Sequence, residues 1–275
     1  MILARVPRLR LAGRAGAWHT GRVHTLPLAE IDTIFLDAGN TLVGMNLDLV
    51  CERLAAHGIV ATPQAVERAE AGARPALSRL LAGGRSSEAR DTFVFHVRNT
   101  ITALDGDAVH ERPAGAELDA VARAVAHELK DAGTRRLWSR VLPGVPEALA
   151  ALHAAGVKLA VVSNSDGTIE EGMIASGLRD HLDAVFDSAR VGYEKPDPRI
   201  FTRALEVVRS APERTVHLGD LHAVDVLGAR AAGVHGVLVD PFEDWRDVDC
   251  PRTPSTAALA RALLDARASA QNRLG

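Results

Sequence analysis

Six polar residues of this 275-residue chain lie where short apolar runs end or in the loops that connect such runs. They are three aspartates, a serine, an asparagine and a lysine: Asp37, Ser163, Asn164, Lys195, Asp220 and Asp225. Carboxylates are the ligands that Mg²⁺ prefers, whereas a hydroxyl and an ammonium can bind the oxygens of a small anion. A carboxylate beside such cations can also act as a nucleophile. The residue types therefore predict a site for a divalent cation and a small anionic molecule.

The apolar runs are typical of buried strands. The run IDTIFLD ends at Asp37 and leads into the turn-forming sequence AGNT. From about residue 143, helical patterns alternate with short runs such as VKLAVVSNS, RTVHLGD and VHGVLVD. Repeated βα units of this length predict right-handed crossovers and a parallel sheet with helices on both faces. Because reactive groups in such sheets lie beyond the carboxyl ends of the strands, we expect the six polar residues to meet at one edge.

A long helical stretch separates the first predicted strand from the others. Four segments with helical patterns follow one another there, and each is stopped by glycine. The chain is therefore predicted to fold as an α/β core, residues 29–44 and 141–275, with an all-helical insertion over residues 45–140. The tail from about Thr253 is predicted to form one amphipathic helix.

The composition limits the classes of partner. Hydrophobic residues make up 47% of the chain and charged residues 24%, which is typical of a globular protein with a large core. The net charge of -3 gives no reason to expect nucleic acid or an anionic membrane as the partner, so a small molecule is expected. No apolar stretch approaches the roughly 20 residues of a membrane span. Cys51 and Cys250 form no metal-binding or disulfide pattern, and a reducing cytoplasm is the expected location.

The first 28 residues have a basic bias, because they contain no acid and Glu30 is the first acidic residue. Their arginines are Arg5, Arg8, Arg10, Arg14 and Arg22. Such a bias resembles that of a transit peptide. We expect a poorly ordered extension that lies outside the fold.

The segments LDAGNTL, VVSNSDG, VGYEKPDP and HLGDLHAVD follow one another in the order of four known sequence motifs. They resemble the motifs of the haloacid dehalogenase (HAD) superfamily, and the resemblance covers roughly residues 31–240. It implies a Rossmann-like α/β core. It also implies that the helical insertion is the C1-type cap that members carry after the first motif.

The resemblance implies a role for each polar residue in hydrolysis. Asp37 would be the nucleophile that forms an aspartyl intermediate, and Lys195 would assist catalysis. Ser163, Asn164 and Lys195 would bind the phosphate of a small phosphorylated substrate. A phosphomonoester carries about two negative charges, so a carboxylate can approach it only if cations offset the repulsion.

Mg²⁺ is the cofactor that the resemblance implies. Its ligands would be Asp37, the backbone carbonyl of Gly39, and Asp220. Asp225 belongs to the same metal site, where its position favours support of the ligands over direct coordination. Together these groups would supply the oxygen ligands that Mg²⁺ prefers.

The first motif departs from the family's phosphatase pattern at Gly39. Phosphatases of the superfamily generally have a second aspartate there, which acts as general acid and base. Glycine has no group that can protonate a leaving alkoxide or activate a water. General acid–base catalysis contributes about 10²- to 10⁴-fold in rate, so a simple phosphatase assignment needs another proton donor.

Three functional hypotheses remain open. The first is a phosphatase whose missing acid comes from the cap, from the substrate or from water. His96, His57 and Asp48 are the candidate donors in the cap.

The second hypothesis is carbon-centred or C–P bond hydrolysis, since dehalogenases and phosphonoacetaldehyde hydrolases of the superfamily also lack the second aspartate. A dehalogenase needs no metal. The retained acidic pair Asp220 and Asp225 is typical of a metal site and therefore argues against a dehalogenase. A phosphonatase needs a cap lysine, and Lys130 is the only lysine of the insertion. Its place at the end of a helical pattern favours a role at the helix C-terminus.

The third hypothesis is a non-catalytic HAD-like protein that binds a phosphorylated ligand or a protein partner. Gly39 agrees with this hypothesis, but the intact Asp37, Lys195 and Asp220 do not. The sequence makes no prediction of oligomeric state.

Overall fold

The computed structural model describes residues 26–105 and 113–273. Residues 1–25, most of the basic N-terminal segment, lie outside the described residues, so the predicted extension stays a prediction. Within the described ranges, no helix combines the length and the apolar character needed to cross a membrane.

A parallel sheet forms the centre of the molecule. The strands in the described residues are β1 (Thr33–Leu36), β2 (Val43–Gly44), β3 (Arg140–Val141), β4 (Lys158–Ser163), β5 (Ala184–Asp187), β6 (Thr215–Gly219), β7 (His235–Val239) and β8 (Arg252–Thr253). Six of them pair in the order β5-β4-β1-β6-β7-β8, and each neighbouring pair is parallel. The predicted α/β fold with a parallel sheet is confirmed.

Helices precede or follow most of these strands. The α-helices in the described residues are α1 (Leu47–Ala56), α2 (Pro63–Leu81), α3 (Arg90–Ala103), α4 (Gly115–Asp131), α5 (Thr134–Leu137), α6 (Val145–Ala154), α7 (Ile169–Ala175), α8 (Ser188–Val191), α9 (Pro198–Val208), α10 (Leu227–Ala231) and α11 (Thr256–Gln271). The amphipathic helix predicted in the tail is α11.

Alternation along β1 builds an apolar layer on each face of the sheet. Ile34 and Leu36 belong to a buried cluster that includes residues of α6 and α11. Phe35 points to the other face and belongs to a cluster that includes α9 residues such as Phe201. All three side chains are at most 1% exposed. The strand is therefore covered on both sides, which explains its uninterrupted apolar sequence.

The helices between β2 and β3, α1 to α5, form the helical insertion and share an apolar cluster of their own. The insertion begins after Asn46, whose side chain caps α1 by accepting a hydrogen bond from the Leu49 amide. Leu54, Ile101 and Leu129, on three different helices, are each 1% exposed. The antiparallel pair β2–β3 lies where the chain leaves and re-enters the α/β core. The sequence did not predict this pair, because two-residue strands are too short to show alternation.

The strand order brings the functional loops together. From β1 the chain first builds β4 and β5 on one side and then crosses to β6 on the other side. Leu36 at the end of β1 pairs with Val161 of β4 and with Leu218 of β6. The loops after these three strands therefore meet at a topological switch point, where open α/β sheets bind ligands.

Candidate active site

A cavity of about 160 Å³ lies at the carboxyl edge of the sheet, between the strand-end loops and the helical insertion. The core contributes all the predicted polar residues and Gly39 to its lining: Asp37, Gly39, Ser163, Asn164, Lys195, Asp220 and Asp225. The insertion contributes a second charged set: Glu70, Arg74, Glu88, His96 and Lys130. The structure thus places every predicted site residue of the core around one cavity.

Asp37 lies at the centre of the core side. Its Oδ1 accepts a hydrogen bond from Ser163 Oγ at 3.0 Å and another from Lys195 Nζ at 2.6 Å. Burial raises the pKa of the Asp37 carboxyl, while the Lys195 ammonium opposes that effect and the Asp225 carboxylate adds to it. Both contacts fall on one oxygen, and Oδ2 is the oxygen that lies 3.8 Å from a Cβ built on Gly39.

Asp225 is the second carboxylate that binds the Lys195 ammonium. Its Oδ1 is 2.7 Å from Lys195 Nζ and 3.1 Å from His217 Nε2, and its Oδ2 accepts from the Leu221 amide at 2.9 Å. Burial would raise the pKa of Asp225, but Lys195 and His217 hold it well below its usual range. Gly219 makes this arrangement possible, because a Cβ there would lie 2.2 Å from the Asp225 carboxyl carbon.

Asn164 holds the lysine loop in place. Its Oδ1 accepts from the Lys195 amide at 2.7 Å, and its Nδ2 donates to the Lys195 carbonyl at 2.9 Å. Nδ2 also donates to Ser87 Oγ of the insertion at 2.9 Å. The Asn164 side chain therefore positions Lys195, which leaves the predicted phosphate contact to its backbone.

A second charge network joins α2 to the core. The Arg74 Nε donates to both Glu70 carboxylate oxygens, at 3.1 and 3.0 Å, and lies 3.5 Å from Asp220 Oδ2. Asn40, in the left-handed region with φ 53°, donates from Nδ2 to Glu70 at 3.0 Å and to Asp220 at 3.1 Å. His96 Nε2 also contacts Glu70, at 3.0 Å. Burial would raise the pKa of Glu70, but Arg74 and His96 hold it far below its ordinary value.

The electrostatic surroundings of Asp220 show whether these residues fit Mg²⁺. Burial, reinforced by Asp225 and Asp37, raises the pKa of Asp220 to about 8 although Arg74 opposes the rise. The positive charges around this carboxyl group do not fully stabilise its ionised form. A divalent cation beside it would do so. No three His, Cys, Asp or Glu side chains of the described residues converge into a complete metal cage. Mg²⁺ commonly takes only one or two carboxylates and fills its octahedron with carbonyls, water and phosphate, so the donor set fits.

The ring of Trp138 lies next to Gly39. A Cβ built on Gly39 would lie 3.4 Å from the ring of Trp138, just after α5. The indole therefore occupies space beside the position of the family's second aspartate. No proton donor is available at residue 39 itself.

The three predicted cap donors lie in different surroundings. His96 lines the cavity and is buried against Glu70. His57 contacts Glu128 at 2.8 Å and, like Asp48, is absent from the cavity lining. Lys130 lies in the last turn of α4, as expected, but it also lines the cavity, which the sequence did not indicate.

Several residues around the cavity were not found from the sequence: Asn40, Glu70, Arg74, Glu88 and Trp138. The spacing of Glu70 and Arg74 is typical of an i,i+4 ion pair, but solvated helix faces carry the same spacing. The asparagine after Gly39 was a usable signal, since asparagine tolerates the left-handed conformation.

Comparison with known proteins agrees with this architecture. The chain is 41% identical over 123 residues to haloacid dehalogenase-like hydrolase domain-containing protein 3 of Bos taurus, covering 45% of this chain and 49% of that protein. It is 41% identical over 119 residues to the phosphoserine phosphatase of Thermus thermophilus, covering 42% and 47%. The chain thus spans about half the length of the curated relatives it matches.

A solved structure and a family model extend the likeness over most of the chain. The HAD-hydrolase YfnB of Bacillus subtilis superposes with a TM-score of 0.56 at 17% identity, over 85% of this chain and 98% of that one, which shows the shared fold. The family model for haloacid dehalogenase-like hydrolases matches residues 31–233, the range that contains the whole cavity lining. The chain therefore belongs to the haloacid dehalogenase-like hydrolase family.

Proposed function

We propose that this protein is a Mg²⁺-dependent phosphatase that hydrolyses a small phosphorylated metabolite through an aspartyl-phosphate on Asp37. One observation carries the proposal: the Asp37 carboxylate lies in a cavity with a hydroxyl and an ammonium directed at one of its oxygens. The similarity to a phosphatase of a small phosphorylated metabolite supports the choice of substrate class. The helical insertion would act as the cap that closes this cavity over the substrate.

Different residues of the chain would bind the phosphate, attack phosphorus and position the lysine. Ser163 Oγ and Lys195 Nζ would exchange their contacts with Asp37 Oδ1 for the phosphate oxygens, which frees the carboxylate for attack on phosphorus. Asp225 would keep Lys195 in position throughout, since it accepts a separate hydrogen bond from the ammonium. Mg²⁺, held by Asp37, the Gly39 carbonyl and Asp220, would offset the negative charge of the phosphate and the carboxylate.

The first experiment is an assay of phosphate release from p-nitrophenyl phosphate and a panel of alkyl phosphomonoesters. Wild type is compared with Asp37→Asn, each in Mg²⁺ and in EDTA. We expect Mg²⁺-dependent release that disappears in the variant while the circular dichroism spectrum is unchanged. Activity retained by Asp37→Asn would refute the nucleophile, and a wild type inactive on all esters would favour a binding protein or another substrate.

Hydrolysis of a C–P bond is the second candidate, because Lys130 reaches the cavity. Its Nζ lies 3.9 Å from Glu88 Oε2 and 5.3 Å from the centre of the Phe93 ring. An amine there could form a Schiff base with an aldehyde phosphonate. Borohydride reduction in the presence of such a phosphonate would then attach the substrate covalently to Lys130, and a protein of unchanged mass would exclude this chemistry.

A further inference from the structure

We propose that Glu88, in the loop between α2 and α3, is the catalytic acid and base that replaces the side chain missing at Gly39. This inference rests on the proposed phosphatase function and adds a residue to its mechanism. No sequence pattern singles out Glu88, which lies among polar loop residues and outside every motif.

The loop that carries Glu88 is fixed onto the core beside the phosphate-binding residues. Ser86 Oγ, the Ser87 amide and Ser87 Oγ donate to Glu194 Oε1 at 3.0, 2.6 and 2.9 Å. Asn164 donates to Ser87 Oγ at 2.9 Å. Because Glu194 and Asn164 flank Lys195 and Ser163 in the sequence, the loop is positioned by the segments that would hold the phosphate. Glu88 lines the same cavity as Asp37.

The surroundings of Glu88 favour a proton-carrying carboxyl. Burial is the largest effect on its pKa, which is raised to about 7, and the carboxylates of Glu194, Asp166 and Asp37 add to the rise while Lys130 opposes it. A carboxyl with such a pKa is partly protonated and partly ionised at neutral pH, which suits a group that must donate and then accept a proton. Its side chain remains 37% exposed, so substrate and water can reach it.

The other acidic or imidazole groups of the insertion fit this role less well. Arg74 and His96 keep Glu70 ionised, so Glu70 has no proton to donate. His96 is bonded to that same carboxylate and is only 6% exposed. Among the described cavity residues of the insertion, Glu88 is the carboxyl whose pKa lies close to neutrality.

The proton balance of the two steps is complete with Glu88 alone. In the first step, an Asp37 oxygen bonds to phosphorus, the P–O bond to the leaving group breaks, and the Glu88 carboxyl gives its proton to the departing alkoxide. In the second step, water attacks phosphorus and transfers a proton to the Glu88 carboxylate. The P–O bond to Asp37 then breaks, which releases phosphate and restores both side chains.

The variant Glu88→Gln tests this role, with Glu117→Gln on the exposed surface of α4 as the matched control. We expect alkyl ester turnover to fall by about 10²- to 10⁴-fold. With p-nitrophenyl phosphate, whose leaving group needs no acid, the variant should show a burst of about one nitrophenol per enzyme and then slow turnover. Glu88→Asp should recover part of the alkyl ester activity, and the control should match wild type.

Two pH measurements separate a catalytic role from a structural one. Wild-type alkyl ester turnover should fall as pH rises through about 7, and Glu88→Gln should lose that limb. Independently of activity, the ¹³C NMR spectrum of metal-free wild type should contain a carboxyl resonance that titrates near 7 and is absent from Glu88→Gln. An unchanged alkyl-to-aryl ratio in Glu88→Gln, or a Glu88 pKa near the ordinary value of about 4.3, would overturn the proposal.

Failure of the Glu88 role and failure of the phosphatase function give different results. A wild type with Asp37-dependent phosphatase activity that is insensitive to Glu88→Gln overturns only the role of Glu88. A wild type without activity on any ester overturns the phosphatase and, with it, the acid.

Discussion

Two buried charge networks meet at the cavity, and they differ in how they are assembled. The core network joins Lys195 to Asp37 and Asp225 through loops that follow strands of one sheet. The bridging network joins Arg74 and Glu70 of α2 to Asp220 of the core. The first depends only on strand order, whereas the second exists only when the helical insertion lies against the core. The polar groups of the core network are therefore positioned by the sheet, whereas the bridging network depends on the contact of Arg74 with Asp220.

The largest expected effect is that of Lys195→Met. The substitution leaves two buried carboxylates without their shared cation, and breaking such a pair costs about 3–5 kcal/mol of unfolding free energy. Urea denaturation should show this loss, and phosphate release should become undetectable. As a control, Arg98→Met breaks the exposed pair with Asp119 and should cost less than about 1 kcal/mol. Equal effects of the two substitutions would contradict the core network.

A smaller effect is expected from Arg74→Met. The free energy of unfolding should fall by about 2–3 kcal/mol, because Glu70 keeps its contacts with Asn40 and His96. Removing both partners, in Glu70→Met with Arg74→Met, should destabilise less than the sum of the single variants, since no charge of the pair is left buried alone. Urea denaturation of all four proteins closes the cycle. Additive losses would show that the two side chains act separately.

The next effect in size is the loss of stability at acid pH that comes from the bridging network. The pKa of Glu70 is depressed in the folded protein, so its contribution is present above the unfolded-state pKa of about 4.3 and is lost as pH falls below it. The difference in unfolding free energy between wild type and Glu70→Gln should therefore shrink by about 1.4 kcal/mol per pH unit between about pH 4 and pH 3. A difference that is constant with pH would mean that Glu70 is not ionised in the folded state.

The smallest effect is expected at Gly39. A Cβ there would make ordinary contacts with Trp138, at 3.4 Å, so Gly39→Ala should change stability by less than about 1 kcal/mol in either direction. The change in stability is measured by thermal melting of three proteins: wild type, Gly39→Ala, and the double variant Gly39→Ala with Trp138→Ala. A large loss that the second substitution relieves would show that the indole packs more tightly than these distances indicate.

The core side of the site was predictable because its chemistry lies at strand ends. The apolar run that ends at Asp37 and the βα alternation after residue 143 predicted a parallel sheet, and a parallel sheet places its strand-end loops together. The antiparallel pair β2–β3 and the contact of Asp225 with His217 were not predictable, since each joins residues that are distant in the sequence or carry no local pattern.

The sequence by itself determined the family, the parallel sheet and the residues Asp37, Ser163, Lys195 and Asp220 around one cavity. Only the tertiary structure decided that Arg74 reaches Asp220, that Trp138 lies beside Gly39 and that Glu88 and Lys130 line the cavity. The physical reason is the range of the interactions. Strand alternation and turn chemistry are local, whereas the face that an inserted helix presents to the core follows from the packing of whole apolar clusters.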